Sequence, residues 1–241
     1  MPKLVLDIET AGKNLSDMDE VSMDYIKHWA ENSASDPDDS ESIDNEIKKI
    51  EDGFSVSPLT AEVVCIGMLN PETKKGLVYY QAPKADKKEF EEEGIKFTTM
   101  SEPEMLQGFW EQVKFYDEFI TYNGRGFDVP FLMIRSAIHK IKPSKNLLSN
   151  RYLNSQFSGA KHYDLQDLLQ FYGATWGKRG YNLHMFCQAF NIKSPKGQGV
   201  SGAHVKEMFQ AGEYEKIARY NIADLFATAE LYDYWQKYLN I

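Results

Sequence analysis

The chain has 241 residues, 42% of them apolar and 26% charged, with a formal net charge of −9. A chain of this length buries a substantial core without metal or disulfide staples, and two cysteines, Cys65 and Cys187, exclude a disulfide framework. No apolar run approaches the ~20 residues of a membrane span, and the start MPKLVLDIET lacks a signal peptide's length and cleavage site, so the expectation is a soluble, cytoplasmic protein making no membrane contact.

In chain order, Leu4–Ile8 reads as a buried strand broken by Gly12. Residues 14–58 read as an acidic surface insertion with short helices over Met23–Trp29 and Ile43–Ile50 and a turn-rich, mobile middle around Ser33–Ser42. Ala61–Leu69 and Gly76–Gln81 are expected to form a hairpin through Asn70-Pro71-Glu72-Thr73. Ser101-Glu102-Pro103-Glu104 has capping-box spacing and opens a helix to about Phe115. Phe119–Tyr122 is a further strand, stopped by Asn123-Gly124-Arg125-Gly126. Helices are then expected over Val129–Ile141, Leu165–Tyr172, Leu183–Phe190, Val205–Ala211 and Tyr214–Tyr238. This order predicts one α/β domain over 1–241: a small mixed sheet with a helical half packed on it.

Charge is unevenly spread. Residues 1–60 hold five Lys against fifteen Asp and Glu, whereas Arg125–Lys206 holds twelve Lys and Arg against three acids. Binding to a phosphate backbone depends on local charge, so the overall acidity does not exclude a nucleic-acid partner.

Three groups of residues carry potential chemistry. Asp7 and Glu9 lie two apart on a strand and therefore share a face with Val5, opposite Leu4, Leu6 and Ile8. Paired buried carboxylates repel, and a bound cation resolves the repulsion; a solvated edge strand is the plainer explanation. Asp128 follows the glycine-containing turn Asn123–Phe127, where it is either a helix cap or a ligand beside a backbone that tolerates close approach. Tyr220 and Asp224 are four apart on the last helix and project from one side.

Taken in order, Asp7-x-Glu9, Asn123-x-x-x-Phe127-Asp128 and Tyr220-x-x-x-Asp224 resemble the three motifs of the DEDD superfamily of 3′–5′ exonucleases. Tyrosine four before the last aspartate, with Arg219 and not histidine five before it, is similar to the tyrosine branch (DEDDy). Asn-Gly-Arg-Gly-Phe-Asp-Val-Pro-Phe-Leu resembles the proofreading exonuclease domain of family B DNA polymerases. His162-Tyr163-Asp164-Leu165 and Pro195-Lys196-Gly197 resemble predicted stand-alone relatives of that domain. The likeness covers residues 4–10 and about 61–235; segment 14–58 departs from it.

The resemblance implies an RNase H-like fold, a mixed central sheet flanked by helices. It implies hydrolysis of phosphodiester bonds from the 3′ end of single-stranded nucleic acid, DNA ahead of RNA, through two divalent ions, Mg²⁺ or Mn²⁺. Asp7, Glu9, Asp128 and Asp224 would be the metal ligands and, with Tyr220 orienting the attacking water, the catalytic set. Thr10, Asn123 and Phe127 would bind substrate, although Phe127 suits plain core packing equally well. Lys178, Arg179 and Lys196 are weaker candidates for phosphate contact, and Asp164 and Asp167 are not expected as ligands. A separately encoded polymerase or repair protein is an expected partner. An RNA-trimming enzyme of the same chemistry and a catalytically silent nucleic-acid-binding protein are the alternatives.

Overall fold

The computed structural model describes residues 1–175, 181–194 and 204–240. Seven strands form one mixed sheet: β1 (Lys3–Gly12), β2 (Ala61–Leu69), β3 (Gly76–Tyr80), β4 (Glu89–Glu92), β5 (Ile95–Thr99), β6 (Glu118–Thr121) and β7 (Lys161–Asp164), in the order β4-β5-β3-β2-β1-β6-β7. β1, β6 and β7 run parallel, β2 is antiparallel to β1 and β3, and β4 and β5 form an antiparallel hairpin. The described helices are α1 (Glu20–Ser33), α2 (Ser40–Asp52), α3 (Glu102–Val113), α4 (Asp128–Ile138), α5 (Leu165–Leu169), α6 (Leu183–Phe190), α7 (Val205–Gln210) and α8 (Tyr214–Tyr238).

Both faces of the sheet are covered, so its central strands are apolar almost throughout. Leu4, Leu6 and Ile8 pack with Phe109, Trp110, Phe131 and Leu132 of α3 and α4. Val5 and Ala11 pack on the other face with residues of α5 to α8. The alternation read from β1 is therefore observed, and it turns Asp7 and Glu9 toward α8. Between Glu9 and Thr10 the ladder shifts by one residue, with the extra residue on β2. Such a bulge re-aims side chains at the end of a strand.

The expected hairpin of β2 and β3 forms, with the Asn70 side chain accepting hydrogen bonds from the backbone N–H groups of Glu72 and Thr73. The Ser101–Glu104 capping box forms at α3. α8 spans Tyr214–Tyr238 as read.

Three strands were not expected. β4 and β5 meet at Glu93 and Gly94, both with positive φ (51° and 80°), a two-residue hairpin hidden in the acidic run Glu89-Phe90-Glu91-Glu92-Glu93. Phe90 stacks on Phe97 across it, with ring centroids 4.7 Å apart. β7 has only four residues, too few to show a period. α4 stops at Ile138, before a left-handed Lys140, and α5 stops at Leu169, before Phe171 and Tyr172, which also have positive φ.

The insertion is more ordered than expected. α1 and α2 run longer than read and leave only residues 34–39 between them. Asp39 caps α2 by accepting from Glu41 and Ser42. Ile26, Ala30 and Phe54 are buried, and the Ser55 carbonyl accepts the Thr10 hydroxyl at 2.6 Å.

Candidate active site

The site lies on the α8 side of β1, near the C-terminal ends of the three parallel strands. α8 crosses β1, β2 and β3 and carries Tyr220 and Asp224 to Asp7 and Glu9. One carboxylate oxygen from each of Asp7, Glu9 and Asp224 falls within 4.8 Å of the others. Glu9 is buried, and Asp7 and Asp224 are partly exposed.

Asp128 stands beside this triad. It is the first residue of α4, and Phe127 occupies the cap position, so Asp128 is not the cap that its sequence context allowed. Its Oδ1 accepts the backbone N–H of Ile8 at 3.0 Å. That bond ties the second motif to the strand between Asp7 and Glu9.

Electrostatics set these carboxylates apart. Burial, then the charges of Asp128, Asp224 and Glu9, push Asp7 well above the ordinary carboxylate range. Burial, then Asp224 and Asp128, does the same to Glu9. Asp128 is pushed up to about 7, chiefly by burial. The Asn221 amide opposes the rise at both Asp7 and Glu9. The Tyr220 hydroxyl is hydrogen-bonded to Asp224, and burial with nearby negative charge raises it far above its usual value. Tyr220 is thus a neutral donor throughout ordinary pH. Converging hard oxygen donors with mutual repulsion fit a divalent cation such as Mg²⁺ or Mn²⁺, which would return them to the ionised form.

The turn before Asp128 is held from outside the three motifs. Asp164, at the end of β7, accepts the backbone N–H groups of Asn123 (3.0 Å) and Arg125 (2.8 Å), and it also caps α5. Asn123 has φ 63°, and a Cβ at Gly124 would lie 2.5 Å from the Thr121 side chain. Asp164 is not expected as a metal ligand, and its bonds are those of a structural anchor. Its spacing after β6 gives no hint of this, because the four residues of β7 are too few to show a strand period.

The three proposed substrate residues occupy different settings. Asn123 is exposed. Phe127 is partly buried against Phe131, with ring centroids 5.4 Å apart. Thr10 is buried, its hydroxyl taken by Ser55 of the insertion. Arg219 points away from the acids, pairing with Glu92 and lying over Phe90 and Phe97. Lys178, Arg179, Lys196 and the Pro195-Lys196-Gly197 stretch fall outside the described residues.

The basic stretch is partly consumed internally. Arg135 pairs with buried Glu102, Arg151 with Asp167 and Lys206 with Glu51, while Arg125 and Lys145 bond to carbonyls. Lys140 and Lys142 are exposed.

Residues 76–239 match the family described as a predicted 3′–5′ exonuclease related to the exonuclease domain of PolB, and the chain belongs to this family. The matched span holds Asp128, Tyr220 and Asp224; Asp7 and Glu9 precede it. No curated protein matches the chain. Among solved structures, a family B DNA polymerase from the hyperthermophilic archaeon Pyrobaculum calidifontis superposes with a TM-score of 0.57 at 17% identity, over 97% of this chain and 24% of the polymerase. The chain thus spans about a quarter of that protein's length, and the likeness is one of fold. The mixed seven-stranded sheet with flanking helices is RNase H-like, as the motif resemblance implied. No described helix is long and apolar enough to cross a membrane.

Proposed function

We propose that this protein is a divalent-metal-dependent 3′–5′ exonuclease acting on single-stranded DNA ends. The observation that carries this reading is the convergence of Asp7, Glu9 and Asp224, with Asp128 tied to the same strand, from three separate elements. Asp7, Glu9, Asp128 and Asp224 would hold two cations, Mg²⁺ or Mn²⁺. When bound, the ions supply an acidified water and charge stabilisation at the phosphate and the leaving oxygen.

The chain's own groups do the rest. Tyr220, held on Asp224, orients the attacking water as a neutral donor. Asn123, on its exposed turn, and the uncovered side of Phe127 line the strand's path, and Thr10 contributes its backbone to the terminal nucleotide. Base stacking on an aromatic ring is sequence-tolerant, which suits trimming without regard to sequence. The preference for DNA rests on the relation to the exonuclease domain of PolB. On this reading residues 1–241 are a single exonuclease domain with an acidic surface insertion at 14–58. It works in the cytoplasm beside a polymerase or repair protein.

The test compares linear and covalently closed circular single-stranded DNA of the same sequence in Mn²⁺, with RNA of that sequence alongside. An exonuclease consumes the linear DNA, spares the circle and stops with EDTA. Cleavage of the circle overturns the exonuclease reading. Intact DNA with shortened RNA moves the substrate to RNA, and survival of all three leaves a silent binding protein as the better account.

A further inference from the structure

Asn221 follows Tyr220 on α8 and is fully buried. Its Nδ2 donates to Oδ2 of Asp7 at 2.7 Å. The ionised carboxylate that a bound cation requires only accepts hydrogen bonds, so the amide nitrogen is the half that must face it. The other half, Oδ1, has no hydrogen-bond partner among the described residues. It lies against Gly67, the residue directly opposite Asp7 on β2. A Cβ at Gly67 would sit 1.8 Å from that oxygen and 2.6 Å from Leu225 Cδ1. The strand therefore carries no side chain at the one place where the amide needs room.

Stability alone does not account for this arrangement. A fully buried amide whose oxygen has no partner among the described residues is costly, and a leucine of similar size would avoid that cost. What the amide adds is a directed bond to Asp7, and by hydrogen bonding it also opposes the burial-driven rise of neighbouring Glu9. The bond to Asp7 uses a single lone pair of Oδ2, leaving the carboxylate with ample capacity for a cation.

We infer that Asn221 is a positioning residue that fixes the Asp7 carboxylate for cation binding, and that Gly67 is the residue whose missing side chain lets it reach. The inference rests on the proposed metal-dependent reading of this site. It concerns how the chain pre-arranges a ligand, the kind of outer-shell support whose loss typically weakens metal affinity 10–100-fold.

The test is Mn²⁺ binding by titration calorimetry without nucleic acid, on wild type, Asn221→Leu and Asn221→Ala, with melting curves in EDTA. Asn221→Leu is expected to melt at or above the wild-type temperature and to bind Mn²⁺ about 10–100-fold more weakly. Asn221→Ala, which leaves space and adds no bulk, is expected to weaken binding similarly and covers the case of a misfolded leucine variant. Gly67→Ala, which displaces the amide, is expected to act in the same direction. In nuclease assays, the Mn²⁺ concentration for half-maximal rate rises in the variants, while the rate at saturating Mn²⁺ recovers to within a few-fold of wild type. Folded Leu and Ala variants with wild-type Mn²⁺ affinity overturn the inference and leave the proposed function standing. A wild-type protein that binds no Mn²⁺ overturns both.

Discussion

The Asp128 carboxylate accepts the backbone N–H of Ile8, 120 residues earlier in the chain, at 3.0 Å. Ile8 lies between Asp7 and Glu9, so one hydrogen bond fixes the turn of the second motif against the strand of the first. A buried acid placed among acids destabilises the metal-free fold, and this gives the first prediction.

Asp128 ordinarily titrates near 3.8, but burial lifts it to about 7. Between those values the folded chain keeps a proton that the unfolded chain has lost. Stability therefore falls as pH rises through about 4 to 7. Buried His162, pushed down to about 4, acts in the opposite direction below its ordinary 6.5. The informative quantity is thus the difference between wild type and Asp128→Asn, in which His162 cancels. In EDTA, Asp128→Asn is expected to gain Tm relative to wild type from pH 5 to 7. The gain should reach about 2–8 °C, corresponding to ~1–2 kcal/mol for a domain of this size. Saturating Mn²⁺ should erase or reverse the gain. A variant that loses Tm relative to wild type over this range in EDTA contradicts the electrostatic account.

Asp164 anchors the same turn from the other side. Asp164→Ala strands the N–H groups of Asn123 and Arg125 and removes the cap of α5. The expected cost is about 2–4 kcal/mol of stability, with at least a tenfold loss of nuclease rate well below the melting temperature. Denaturant unfolding and initial rates on the same samples check both. Wild-type rate in a destabilised variant would separate the anchor from the site.

The pairing of acids within a motif was legible from local rules, while the joining of the three motifs into one candidate site came from the family resemblance. The alternation through Leu4, Leu6 and Ile8 placed Asp7 and Glu9 on one face, and four-residue helical spacing joined Tyr220 to Asp224. The parts that were not legible depend on distant pairing. Asn221 and Gly67 meet only because β2 lies opposite β1 and α8 crosses both, and no local pattern marks either residue. Asp164 was read without its strand, since four residues containing a histidine and an aspartate show no period. β4 and β5 were masked by glutamates that remain solvated while Phe90 and Phe97 do the packing. The insertion was read as loose from its acidity, yet its buried contacts come from a few residues, Ile26, Ala30 and Phe54, spread through polar sequence.

Tyr220 separates orientation from ligation. Its hydroxyl bonds Asp224 and, on the proposed reading, positions water without binding a cation. Tyr220→Phe is expected to lose about 10- to 100-fold in kcat with Mn²⁺ affinity unchanged. A Tyr220→Phe enzyme less active than Asp7→Ala would contradict that role.

The central claim, that Asp7 and Asp224 together hold the catalytic cation, is tested most directly with a 5′-labelled single-stranded DNA oligonucleotide in Mn²⁺, Mg²⁺ or EDTA. Wild type, Asp7→Ala and Asp224→Ala are compared, their folding verified by circular dichroism. The account predicts a ladder shortening from the 3′ end for wild type, no shortening in EDTA, and a loss of at least ~10³-fold in each folded variant. Wild-type ladders from either alanine variant would contradict it.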